Sequence, residues 1–125
     1  MIRVVVVEDN DVFRDALGIV LDLAPDLDVV GTAPDGTTAL ALCAHACPDV
    51  VVVDYRLPDL DGVEVTGGVL STCPDAAVLA LTAAADAPEK EALLAAGAVG
   101  CLTKSQELDE IVAAIRDAGQ RAGDR

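Results

Sequence analysis

The sequence predicts an α/β domain: a doubly wound parallel sheet of five strands alternating with five helices. Two stretches, IRVVVV from Ile2 and VVVV from Val50, are unbroken apolar runs, as in strands buried on both faces. Both stop at acids, Glu8-Asp9 and Asp54, which places those carboxylates at the edge of the sheet where open α/β folds hold ligands. Segments with helical apolar spacing alternate with further short apolar runs across brief turns. That alternation requires parallel pairing with right-handed crossovers.

The elements follow in order. Strand Ile2 to Val7 is followed by Asn10 and Asp11, which can cap a helix with apolar positions Val12, Phe13, Ala16, Leu17, Val20 and Leu23. Pro25-Asp26 ends it. A short strand spans Asp28 to Ala33, and Asp35-Gly36 turns into a helix from about Thr37 to Ala46. Pro48-Asp49 opens the central strand, after which Tyr55 to Pro58 and the turn dipeptide Asp61-Gly62 carry the chain over the sheet edge. The next helix runs through Leu70. Gly67-Gly68 lies inside it, at a cost of about 1 kcal/mol per glycine relative to alanine, so the pair implies close packing or a loose helix. Cys73-Pro74-Asp75 is a turn, and strand Ala76 to Leu81 halts at Thr82. Asp86 with Glu89 forms a capping pair, Pro88 suits the first turn, and the helix ends at Gly97. The last strand, Val99 to Leu102, precedes Thr103-Lys104-Ser105. Leu108, Ile111, Val112 and Ile115 mark a final helix that closes at Gly119, leaving a tail or the beginning of a linker.

At 125 residues the chain is one ordinary domain. With one Phe, one Tyr and no Trp it has no aromatic platform for stacking bases or sugars. A formal net charge of -14 opposes direct binding to nucleic acid or to an anionic membrane. No stretch approaches the roughly 20 apolar residues of a membrane span, and no secretory signal precedes the first strand. Cys43 and Cys47 share a helix face, but no second pair has metal-ligand spacing, so Cys43, Cys47, Cys73 and Cys101 are read as free thiols in a reducing cytosol.

Strand ends of one polarity meet on one edge, so Glu8, Asp9, Asp54, Thr82 and Lys104 converge. Any one of them alone would be a capping acid, a turn hydroxyl or a solvated loop lysine. Together they suggest more, because clustered carboxylates repel and raise one another's pKa unless a positive charge sits among them. A hard divalent cation answers this need. Mg²⁺ requires only one or two carboxylates besides phosphate oxygens and waters. Asp54 is then a nucleophile toward a phosphoryl group, with Lys104 and the Thr82 hydroxyl serving its equatorial oxygens.

The acid pair Glu8-Asp9, Asp54 with Pro58 and Asp61-Gly62 after it, Thr82 followed by small Ala83, and Lys104 together resemble a receiver domain of two-component response regulators. The resemblance covers essentially the whole chain. It implies a flavodoxin-like fold with strand order 2-1-3-4-5 and phosphotransfer from a sensor histidine kinase to Asp54. It also implies Mg²⁺ held by Asp9, Asp54 and the backbone carbonyl of Arg56, with Glu8 acting through water. One residue departs from the pattern. Cys101 stands where the family usually has the Phe or Tyr whose rotation follows the hydroxyl residue, here Thr82.

The residues around Lys104 and the final helix resemble the NarL-like class, which implies a cytoplasmic transcription regulator whose C-terminal DNA-binding domain lies outside this chain. The receiver is expected over residues 1–118, with 119–125 as a tail or the start of a linker, and a homodimer is expected on phosphorylation. Such a domain is not an enzyme, since it promotes only its own phosphorylation and dephosphorylation. The alternatives are a pseudo-receiver serving as a protein-interaction module, favoured by Cys101, and a Mg²⁺-dependent phosphatase, opposed by the lack of a cap domain.

Overall fold

A computed structural model of the chain describes residues 1–83 and 88–123. The elements alternate as β1 (Ile2–Val7), α1 (Asp11–Asp22), β2 (Leu27–Ala33), α2 (Gly36–Ala46), β3 (Val50–Asp54), α3 (Gly62–Thr72), β4 (Ala77–Thr82), α4 (Glu89–Ala95), β5 (Gly100–Thr103) and α5 (Leu108–Gly123). The strands form one parallel sheet in the order β2-β1-β3-β4-β5, so the doubly wound flavodoxin-like fold is as expected.

The two valine runs lie side by side, with Val4 opposite Val50 and Val7 opposite Val53. Their side chains alternate between two cores. Val5, Val7, Val51 and Val53 pack with residues of α2, α3 and α4, including Ala39, Cys43, Val65, Val69 and Leu93. Val4, Val6, Val50 and Val52 pack on the other face with Leu17 and Leu21 of α1 and Ile111 and Ile115 of α5. All eight valines are fully buried, each worth about 1.5 kcal/mol of transfer free energy. Consecutive valines therefore serve both layers.

Several expectations need correction. On α1, Val12 and Leu23 are 80% and 78% exposed, because the buried stripe runs through Leu17 and Leu21 and leaves both on the outer side. The glycine pair of α3 divides its roles. A Cβ on Gly68 would meet the Leu40 side chain at 2.5 Å, so Gly68 is a close-packing site between α2 and α3, whereas Gly67 faces open space. Asp86 lies outside the described residues, and Pro88 caps α4 without a side-chain hydrogen bond. Gly97, at φ 117°, ends that segment as expected. The last helix does not stop at Gly119 but continues to Gly123; the missing Cβ there makes room for the Ile2 side chain.

The cysteines also differ from expectation. Cys47 and Cys73 form a disulfide, while Cys43 and Cys101 are free. Helical spacing along α2 pointed to Cys43 as the neighbour of Cys47. Cys47 is instead the C-cap of α2, in the left-handed conformation at φ 40°, which turns it out of the helix toward Cys73, the C-cap of α3. Burial pushes the free Cys43 thiol up to about 11.

Candidate functional site

Strand register builds the site. Because Val7 and Val53 are partners, the next residue of each chain, Glu8 and Asp54, emerges side by side at the carboxyl edge. Glu8 is fully buried and Asp54 is 5% exposed. Two buried carboxylates here need a counter-charge, and β5 delivers it. The Lys104 backbone N–H donates to the Thr82 carbonyl at 3.0 Å, and its ammonium reaches Glu8 Oε1 at 2.5 Å and Asp54 Oδ2 at 2.9 Å.

Asp9 is exposed and completes an acidic group with Glu8 and Asp54. One carboxylate oxygen from each lies within 4.8 Å of the others. Burial pushes the Glu8 carboxyl above its ordinary value and the neighbouring Asp54 adds to the rise, while Lys104 opposes it. Burial also acts against the Lys104 ammonium, but Glu8 and Asp54 outweigh it and the lysine pKa is raised. Glu8 Oε1 is buried against the Lys104 ammonium. A buried acceptor in that state beside two further carboxylates is a donor set suited to a hard cation such as Mg²⁺.

Thr82 ends β4 and is buried, its hydroxyl 3.5 Å from the Leu102 carbonyl. Cys101 Sγ lies 3.8 Å from that hydroxyl, so the atypical residue does neighbour the threonine. Arg56 is exposed and pairs with Asp61 in an isolated antiparallel bridge that closes the loop after β3. The Gly62 N–H donates to the Tyr55 carbonyl at 2.7 Å, and Asp61 caps α3 in a capping box with Glu64. Tyr55 packs against the inner cluster beside α3. A cleft of about 570 Å³ opens over this edge, lined by Asp9, Asp54, Arg56, Thr82, Lys104 and Glu89 among others. All the residues expected from the sequence thus meet at one edge.

Some contributors had no sequence signal as site residues. Arg14 Nη1 donates to the Glu8 carbonyl at 2.7 Å, tying α1 to the end of β1. Phe13, which sequence spacing assigns only to the core stripe, has its ring 5.5 Å from Lys104 Nζ. Asp59 accepts from the N–H groups of Gly36 and Thr37 at 2.8 and 2.9 Å and from the Thr37 hydroxyl at 2.5 Å, anchoring the β3–α3 loop to the start of α2.

Known proteins resemble this chain in sequence and in fold. Residues 4–116 match the response regulator receiver domain. The response regulator GacA of Pseudomonas viridiflava is 42% identical over 97% of this chain and 58% of its own length. The DNA-binding transcriptional activator DevR/DosR of Mycobacterium tuberculosis is 40% identical over 95% of this chain and 55% of its own. The chain thus spans little more than half the length of these relatives. Among solved structures, the signal receiver domain of the putative response regulator NarL from Mycobacterium tuberculosis superposes with a TM-score of 0.88 at 36% identity, covering 95% of this chain and 96% of that one. A LuxR-family response regulator from Aurantimonas sp. gives 0.89 at 29% identity, over 96% of this chain and 86% of that one. An ammonium set between buried strand-end acids, on this sheet and with these relatives, leads to one assignment: the chain belongs to the response regulator receiver domain family.

Proposed function

We propose that Asp54 is the phosphoacceptor of a phosphorelay, taking a phosphoryl group from a phosphohistidine of a sensor histidine kinase. The observation that carries this reading is the placement of Lys104 between Glu8 and Asp54, with Asp9 within 4.8 Å. An Asp54 carboxylate oxygen attacks phosphorus as the phosphorus–nitrogen bond to histidine breaks, and the electron pair and a proton remain with the imidazole. Lys104 can follow the charge onto a phosphoryl oxygen as a compact cation, and the Thr82 hydroxyl can donate to another. Asp9, Asp54 and the Arg56 carbonyl would hold Mg²⁺ directly and Glu8 through water. When bound, that ion supplies charge neutralisation for the transferring group.

Hydrolysis of the acyl phosphate returns Asp54 to its starting state, so the domain acts on itself and turns over no separate substrate. Thr82 with Cys101 forms the switch. The thiol is smaller than an aromatic ring, and its readout is a repacking at the ends of β4 and β5. The setting is the cytoplasm. Within the whole protein the receiver, expected to end at 118 but with its last helix running on to Gly123, leads to a DNA-binding output domain controlling transcription, as the name of one longer relative suggests. Phosphorylation changes dimerisation. The net charge of -14 keeps this domain itself away from DNA and from anionic membranes. No helix among the described residues is long and apolar enough to cross a membrane.

Cys101 favours a second reading, a pseudo-receiver that binds partners without phosphorylation. Incubation with acetyl phosphate and Mg²⁺ followed by intact mass measurement separates the two. One added phosphoryl group, absent in Asp54→Asn, is the expected result, and an unmodified wild-type mass would favour the pseudo-receiver.

A further inference from the structure

The ammonium of Lys104 has two carboxylate partners, and it also lies over a ring. Phe13 is the only phenylalanine of the chain, and its centroid lies 5.5 Å from Lys104 Nζ, inside the roughly 6 Å range over which a ring face attracts a cation. The ring does not sit there by chance of rotamer alone. Asn10 caps α1 by accepting the Phe13 N–H at 3.0 Å, and the adjacent Arg14 clamps the same turn to the Glu8 carbonyl at 2.7 Å. The turn that presents the ring is therefore tied to the strand end that presents the acids.

This geometry suits a cation that must move. Once Asp54 carries phosphorus its charge shifts outward, and the ammonium has to re-aim from a carboxylate oxygen to a phosphoryl oxygen. A third carboxylate in place of the ring would hold the lysine back and add to the crowding of negative charge. A purely aliphatic side chain would add no attraction to that of the two carboxylates. A ring face attracts the cation without a fixed direction and without a proton to exchange.

We propose that Phe13 is a positioning residue for phosphoryl transfer, its ring face keeping the Lys104 ammonium over Asp54 while leaving it free to pivot. The proposal rests on Asp54 being the phosphoacceptor. Phe13 also packs against the core cluster that includes Leu17 and Ile111, so the test must separate the ring's electrostatics from its volume.

Phosphorylation by acetyl phosphate at saturating Mg²⁺ would be timed for wild type, Phe13→Leu, Phe13→Tyr and a protein carrying pentafluorophenylalanine at position 13. That last ring keeps nearly the same shape but reverses the sign of the face. Unfolding by urea is measured on each in parallel. The rate is expected to fall about 5- to 10-fold in the leucine and pentafluoro proteins and to stay within about twofold of wild type in Phe13→Tyr, the span of ring–cation strengths. In a Lys104→Ala background, exchanging the ring should change the residual rate no further. Equal rates across the set, or rates that follow stability rather than ring charge, would overturn the proposal. Failure to label the unsubstituted protein would overturn the phosphoacceptor assignment and this proposal with it, whereas normal labelling indifferent to position 13 would overturn this one alone.

Discussion

At the amino edge of the sheet, Arg3 donates its backbone N–H to Asp49 Oδ2 at 2.9 Å and its guanidinium to the carbonyls of Ala46 and Cys47, and the Cys47–Cys73 disulfide joins the ends of α2 and α3. At the carboxyl edge, three acids crowd around one lysine, with a cleft above them open to solvent. The first edge is closed by bonds that satisfy their partners. The second gathers the buried charge of Glu8 and Asp54 around a single ammonium. The contrast teaches that the covalent cross-link lies away from the chemistry, while the reactive edge collects the acids suited to cations and phosphoryl groups.

The contrast can be broken most forcefully at Lys104. In metal-free buffer Lys104→Met should lower unfolding stability by roughly 3 kcal/mol, the cost of leaving buried carboxylates without their counter-charge. Urea titrations with and without Mg²⁺ check this. The variant should gain more stability from Mg²⁺ than wild type does, and an equal gain would show that the acids do not share a cation.

The opposite edge predicts a different pattern. Replacing both Cys47 and Cys73 by serine should lower stability by up to about 3 kcal/mol, because the bond closes a loop with a sequence separation of 26 in the unfolded chain. The rate of Asp54 phosphorylation should stay within about twofold of wild type, as expected for sites with no shared partners. Treating wild type with dithiothreitol should reproduce the effect. A large change in phosphorylation with little change in stability would mean the two edges communicate.

A smaller effect is expected at Asp59. The Thr37 hydroxyl, with the N–H groups of Thr37 and Gly36, holds this carboxyl well below the usual carboxylate range. A lowered folded pKa means the stabilisation is complete above the ordinary Asp value and is lost as pH falls through the folded one. Asp59→Asn should therefore flatten the acid limb of stability against pH below about pH 4 by up to one proton. Acid titrations followed by circular dichroism would read it, and an unchanged slope would place that loop's anchoring elsewhere.

Much of this was legible in the sequence because the signals were periodic or terminal. Valine runs ending in acids announced both the parallel sheet and the edge at which the chemistry collects. Lys104 and Thr82 followed from the same geometry, since strand polarity alone assigns each end to an edge. What stayed hidden depended on rotation out of a regular element. Cys47 shares a helical face with Cys43 on paper, and only the left-handed cap at φ 40° sends it to Cys73. Phe13 read as a core position of α1, because spacing tells which face a residue is on and not whether its side chain reaches the neighbouring strand end. Gly119 looked like a stop signal, since a glycine required for packing against Ile2 and one required by a turn are the same letter.

The adjoining valine runs raise a last point about alignment. Sliding β1 past β3 by one step would exchange valine for valine, so the core offers little to oppose the shift beyond lost backbone pairing and reversed faces. The displaced parts would be the polar tips: Glu8 would part from Asp54 by about 3.3 Å, and Arg3 would lose its exchange with Asp49 at the far end. These charged tips are the vernier marks on an otherwise unmarked scale, and a protein able to accept phosphorus has, by that fact, its strands correctly indexed.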